Sequence, residues 1–146
     1  MSRILRFIYI IFVVVRGYER LLVWVARFGF LIYPLYGIVS WFVASRKERI
    51  RKREALVEAI FSVLAASSVS FLIRRIWRRP RPFTRGKTAR IAHGDNASFP
   101  SNHTLNAVAA AFSLILSRQS GGNRLLGWAL LQGLSRVFAG VHYTSD

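Results

Sequence analysis

Residues 98–116 read SFPSNHTLNAVAAAFSLIL. Three polar side chains, Ser101, Asn102 and His103, stand at the mouth of a run that is apolar on nearly every side from position 104 to 116. A helix without a polar face buries itself in protein or in lipid. Four more apolar blocks lie at 4–15, 21–44, 55–73 and 125–141. The first is short against the roughly 20 residues that a membrane span needs. It either crosses with help from 21–25 or lies in the interface.

The gaps between blocks are basic. The 146-residue chain holds 22 Lys and Arg against 6 acids, a net charge of +16, yet 53% of it is apolar. Its mean hydropathy is +0.31 and its pI is near 11.8. A soluble nucleic-acid-binding domain is basic and hydrophilic, with amphipathic periodicity, so a nucleic-acid partner is not expected here. The absence of cysteine rules out disulfides and thiolate metal sites and leaves the redox compartment open. The N-terminal SRILRFIYIIFVVVRGYER imitates a signal peptide, but Arg16, Tyr18 and Glu19 stand where small residues would permit cleavage, so it is expected to be retained. With no repeat, low-complexity tract or linker, residues 1–146 are expected to form one membrane-embedded, all-α, multi-pass helical bundle.

The short loop with Arg46, Lys47, Arg49, Arg51, Lys52 and Arg53 belongs in the cytoplasm by the positive-inside tendency. Block 55–73 then runs outward, 104–116 inward and 125–141 outward. The outer segment carries Arg74, Arg75, Arg78, Arg79, Arg81, Arg85, Lys87 and Arg90, against the same tendency. Either the topology is inverted, or these arginines have a task that outweighs the bias.

Three polar clusters would meet on that outer side. The first is IRRIWRRPRPF at 73–83, where arginines suit phosphate and the two prolines hold the chain extended. The bland alternative is a snorkelling patch at the membrane edge. The second is the opening stretch. Ser101 suits an N-cap, the helix start suits an anion, and His103 could donate a proton to a group held there. Its bland alternative is a capped helix with an interfacial histidine. The third is LSRVFAGVHYTSD at 134–146. Ser135 and His142 are seven apart and would share one helix face, with Arg136 beside it. Asp146 would fix the His142 tautomer and sharpen its other nitrogen as a nucleophile. A polar helix–helix contact is the alternative. Brought together, the three form a pocket for phosphoryl transfer that stabilises charge with cationic side chains.

These residues resemble the type 2 phosphatidic acid phosphatases, which share a core with vanadium haloperoxidases. The family motifs are K-x6-R-P, P-S-G-H and S-R-x5-H-x3-D. Arg74 to Pro82 reads R-x6-R-P, Pro100 to His103 reads P-S-N-H, and Ser135 to Asp146 gives the third motif in full. PRPF together with GDNASFPSNHT looks most like the bacitracin-resistance undecaprenyl-diphosphate phosphatases. Arg74 stands where lysine is usual, Asn102 where glycine is common and Thr144 where proline is common. The family continues with a further membrane helix beginning near the aspartate. The domain is therefore expected to be C-terminally incomplete relative to the family.

The resemblance implies that His142 attacks phosphorus, that Asp146 orients it, and that His103 protonates the leaving oxygen and then activates water. It implies that Arg74, Arg81, Ser101, Asn102 and Arg136 hold the phosphate, with no metal and no cofactor. The implied protein is an integral membrane enzyme that converts undecaprenyl diphosphate to the monophosphate carrier of cell-wall precursors, at the outer face of a bacterial plasma membrane. Its partners would be a polyprenyl or other lipid phosphate and the surrounding membrane lipids. Two alternatives stay open. One is phosphatidate or phosphatidylglycerophosphate as substrate; the other is a non-catalytic membrane protein that binds anionic headgroups. His93 is expected in a solvated loop without a catalytic role. Trp24, Trp41, Trp77 and Trp128 are expected as interfacial anchors or packing.

Overall fold

A computed structural model of the chain describes the backbone of residues 3–146 and the side chains of residues 16–146. Five α-helices carry the described chain: α1 (Arg3–Phe28), α2 (Ile32–Val43), α3 (Arg49–Ile76), α4 (Asn102–Leu116) and α5 (Gly122–Phe138). There are no strands among the described residues. The side chains of the first apolar block, 4–15, lie outside the described residues.

α1 and α2 form nearly one rod, joined by a short 3-10 turn at Gly29–Leu31. Pro34 explains the change of winding. It has no N–H to give the carbonyl four residues back, and its ring crowds that carbonyl. Gly29 lets the α5 indole close in, and Trp128 Nε1 donates to Gly29 O at 2.7 Å. A Cβ at Gly29 would stand 3.1 Å from Val25 Cγ1 and 3.5 Å from that indole nitrogen.

α3 begins at Arg49, before the apolar block that starts at Ala55. Arg49, Arg51, Lys52 and Arg53 therefore lie in its first turns rather than in a loop. Glu48 just ahead of the helix assists, pairing with Lys52 at 3.1 Å and Arg51 at 3.8 Å. Arg53 stacks on Trp41 at 4.7 Å. α3 then packs on α4, α4 on α5, and α5 on α1. Small residues at these seams (Ala55, Ala59, Ala107, Ala110, Ala111 and Ala129) let the helices approach closely and are buried.

Outward faces are apolar. Phe42, Val43, Ile60, Phe61, Leu72 and Ile76 are all exposed. Two continuous helical segments, Arg16–Val43 and Arg49–Ile76, are each 28 residues long and apolar enough to cross a membrane. α4 is shorter, at 15 residues. Alternation of direction along the chain brings the end of α3, the start of α4 and the end of α5 to one end of the bundle, beside the α1–α2 junction.

Candidate active site

α5 stops at Phe138, three residues before the apolar block does. Gly140 takes φ +75°, in the left-handed region, and Gly140 N and Val141 N turn back to the carbonyls of Val137 and Arg136. Only glycine fits, because a Cβ there would collide with the Thr88 carbonyl oxygen. This stop corrects the expected geometry. Ser135 and His142 do not share a helix face, and Ser135 Oγ donates to Leu131 O at 2.7 Å within its own helix. His142 instead sits in the turn after α5, bent back over the helix end.

That turn closes on Asp146. Tyr143 N donates to Asp146 Oδ2 at 2.8 Å, and Asp146 N donates to Tyr143 O at 3.1 Å. The carboxylate is 1% exposed, and its Oδ2 stands 3.1 Å from His142 Nδ1. A carboxylate accepts, so Nδ1 carries the hydrogen and Nε2 carries the lone pair. Nε2 faces two guanidiniums, Arg81 Nη1 at 3.2 Å and Arg136 Nη2 at 3.5 Å. Burial, then Arg136 and Arg81, hold the His142 imidazole well below its usual range despite the opposing carboxylate, so it is neutral at pH 7. A neutral imidazole with its lone pair aimed into a cluster of cations has the chemistry a nucleophile needs, beside groups that attract an anion.

The arginines are themselves anchored. Arg81 is 1% exposed. Its Nε donates to Asn96 O at 2.9 Å, Nη1 to Val141 O at 2.7 Å, and Nη2 to Asn96 Oδ1 at 2.5 Å. Burial and the neighbouring Arg74 lower its pKa to about 10, which leaves it charged at neutral pH. Arg136 Nη1 donates to Ala26 O at 3.0 Å. Arg74 gives Nε and Nη2 to Pro100 O, at 3.2 and 2.7 Å, which ties the end of α3 to the start of α4.

Ser101 occupies the N-cap position of α4 and is buried, but its hydroxyl does not cap a backbone amide. It meets Thr104 Oγ1 at 3.0 Å, while Ser101 N donates to Asp146 O at 3.0 Å. Motifs two and three are thus joined through the backbone. His103, one position into α4, packs edge-on against Phe30 with centroids 5.4 Å apart. It has no side-chain hydrogen bond among the described residues. Arg136, His93, Arg74 and Arg81 all act on it electrostatically, which places it in the same cationic field as His142. Asn102 shares with His103, Phe30 and Asn106 a small cavity of about 250 Å³, not the arginine cluster. This cavity shares Tyr33, Val63 and Ala110 with a larger apolar groove of about 620 Å³ between α2 and α3.

Four residues in the site escape the motif reading. Arg79 Nη1 donates to Asp146 Oδ1 at 2.7 Å. Ser98 Oγ donates to Asp146 Oδ2. Asn96 supports Arg81. His93, expected in open solvent, is half-buried and stands edge-on to His142 with centroids 6.1 Å apart. Arg79 had a signal in its dense arginine run, and Asn96 and Ser98 lie in the GDNASFPSNHT stretch, while His93 had none. Among the described residues, no three His, Asp or Glu side chains gather as a metal site would require.

Comparison with known proteins agrees with this architecture. The chain is 27% identical over 129 residues to the undecaprenyl-diphosphatase BcrC of Bacillus subtilis, covering 88% of the chain and 65% of that protein. It is 34% identical over 118 residues to the decaprenylphosphoryl-5-phosphoribose phosphatase of Mycobacterium tuberculosis, covering 81% of the chain and 61% of that protein. The chain thus spans less than two thirds of the length of these curated relatives. Its fold superposes on the crystal structure of a transmembrane PAP2 type phosphatidylglycerolphosphate phosphatase from Bacillus subtilis. The TM-score is 0.57 at 21% identity, covering 90% of this chain and 67% of the other. The model of the PAP2 superfamily matches residues 55–146, more than half of the chain and all three motifs, so the chain belongs to the PAP2 superfamily.

Proposed function

We propose that this protein is a multi-pass membrane phosphatase that removes the terminal phosphate of undecaprenyl diphosphate, leaving undecaprenyl phosphate. The observation that carries the reading is the orientation of His142. Asp146 holds Nδ1, and the Nε2 lone pair faces Arg81 and Arg136, the guanidiniums that a phosphoryl group would engage as it docks. In the first step Nε2 attacks the terminal phosphorus, the P–O bond to the lipid phosphate breaks, and His103 gives that oxygen a proton. In the second, His103 takes a proton from water. The resulting nucleophile displaces His142 from phosphorus and releases inorganic phosphate. Arg74, Arg81 and Arg136 neutralise the equatorial oxygens in both steps.

The lipid class draws support from the groove between α2 and α3, which runs from the His103 cavity along apolar walls and suits an isoprenoid tail. The similarity to BcrC favours the diphosphate. The positive-inside tendency of residues 44–53 favours an active site on the outer side of the plasma membrane. Several outer arginines that oppose this tendency are held at the site, which accounts for their position.

A second reading is favoured by the higher identity to the mycobacterial phosphatase, whose substrate is a polyprenyl phosphoribose phosphate. One experiment separates these. Phosphate release is measured from purified undecaprenyl diphosphate, decaprenylphosphoryl-5-phosphoribose with its terminal phosphate, phosphatidate and phosphatidylglycerophosphate in detergent. The diphosphate should give the highest kcat/KM, by about tenfold or more. If another lipid is preferred, the substrate assignment fails. If none is cleaved and each still binds, the protein is a headgroup binder.

A further inference from the structure

His93 lies outside all three motifs, yet it is carried over the site on a loop fastened on both sides. Upstream, Arg90 N donates to Ala139 O at 2.8 Å, and the Thr88 carbonyl rests against Gly140. Downstream, Asn96 and Ala97 accept from Arg81, and Ser98 N donates to Arg79 O at 2.8 Å. The fastening groups are those that position His142, so the loop and the nucleophile share one framework. The His93 ring meets the His142 ring edge-on, centroids 6.1 Å apart and planes 85° apart.

The ring has a defined orientation as well as a position. His93 Nδ1 stands 3.0 Å from Gly94 O. A carbonyl only accepts, so the hydrogen is on Nδ1, and Nε2 has no hydrogen-bond partner among the described residues. A phosphoryl group poised for attack has its phosphorus about 3–3.5 Å from the nucleophilic nitrogen. Because the His93 ring is in edge-on contact with His142, a non-bridging oxygen of such a group would come within its reach.

We propose that His93 is a third histidine of this pocket and donates through Nε2–H to a non-bridging oxygen of the phosphoryl group that His142 attacks. The proposal rests on the phosphatase reading and adds a substrate contact to it. Charge accounts for the proton. Burial lowers the His93 pKa, the Gly94 contact opposes this, and Arg81, Arg136 and Arg74 lower it further, so the ring favours its neutral form at pH 7. His142 and His103 also face it. An entering phosphate anion cancels the surrounding positive charge, and Nε2 takes one proton from solvent. Nδ1–H stays on Gly94 O, and the new Nε2–H points at the anion. When the anion leaves, the proton returns to solvent.

The test uses orthovanadate, a five-coordinate mimic of transferring phosphoryl, on the protein in detergent. Its affinity and the protons taken up on binding are measured by calorimetry in buffers of different ionisation enthalpy. Turnover of undecaprenyl diphosphate is followed in parallel. His93→Ala should weaken vanadate and lower kcat/KM by about tenfold or more, the scale of a lost charge-assisted hydrogen bond. It should also remove about one proton of uptake. His93→Gln, which restores an uncharged donor, should regain part of the affinity but not the proton. Vanadate affinity within about twofold of the parent in His93→Ala, or unchanged proton uptake in both variants, would overturn the proposal. If His93→Ala proves unstable, proton uptake by His93→Gln decides alone. A parent protein that binds vanadate but releases no phosphate from any lipid would sink the phosphatase reading and leave the His93 result legible.

Discussion

Asp146 reaches two partners with different oxygens: Oδ2 stands 3.1 Å from His142 Nδ1, and Oδ1 accepts from Arg79 Nη1 at 2.7 Å. One buried carboxylate therefore couples His142 to an arginine that the family motifs leave unspecified. Arg79 also stacks on Tyr143 at 4.2 Å and donates to Ser145 Oγ at 2.9 Å, so it braces the whole closing turn.

Arg79→Ala should therefore act on catalysis through His142. It leaves Oδ1 without its cation, which costs about 1.5–3 kcal/mol, and loosens the Tyr143–Asp146 turn. The expected result is a kcat reduced about tenfold with KM little changed, partly recovered in Arg79→Lys. Steady-state kinetics on the lipid diphosphate check this. A variant with parental kcat would show that the bond does no more than decorate the turn.

Gly140→Ala should be severe. It adds about 1–2 kcal/mol of left-handed backbone strain and pushes a methyl group into the Thr88 carbonyl. Relief requires the 88–97 loop to lift from the end of α5, which displaces His93 and the Arg90–Ala139 bond with it. The melting temperature should fall by several degrees, and turnover should fall by more than stability alone accounts for. Gly127→Ala is the control, because a Cβ there meets nothing within 4 Å. Equal behaviour of the two variants would contradict the assigned loop geometry.

Stability should depend on pH through the histidines that the fold keeps neutral. The folded-state pKa values of His142 and His93 are both lowered, mainly by burial and then by the arginines. The unfolded chain has imidazoles near about 6.5 and so binds more protons between the folded values and that pH. Stability is therefore complete above about 6.5 and declines as pH falls below it. Melting temperatures from pH 8 to pH 5 should show this loss. The slope should flatten in His142→Asn, whatever the absolute stability of that variant. An unchanged slope would mean that His142 is not held neutral.

The parts of this architecture that were legible in sequence are those where chemistry restricts the residue type. The family motifs fix the spacing of His142, Asp146 and Arg136 and supply Arg81, and the structure brings these four side chains together. Long apolar helices need unbroken apolar runs, so α3 and α4 stand out too. What stayed hidden depends on long-range backbone contacts. Periodicity carries α5 through Val141, and only the pairing of Gly140 with the Thr88 strand of loop shows why it stops at Phe138. α3 starts at Arg49, ahead of its apolar block, because the Glu48–Lys52 pair supports a helical turn in residues whose charge reads as loop. His93 and Ser98 carry no spacing signal; they reach the site because Arg81 and Arg79 hold their loop down.

The central claim is that phosphorus passes through His142. The most direct measurement is rapid-quench trapping with undecaprenyl diphosphate labelled in its terminal phosphate, followed by peptide mapping. Acid-labile, base-stable label should appear on the peptide holding His142 within the first turnover, and should be absent in His142→Ala. In His103→Ala the label should form and decay more slowly, because His103 serves both steps. Turnover by the parent protein with no label at His142, or label that persists in His142→Ala, would contradict the account.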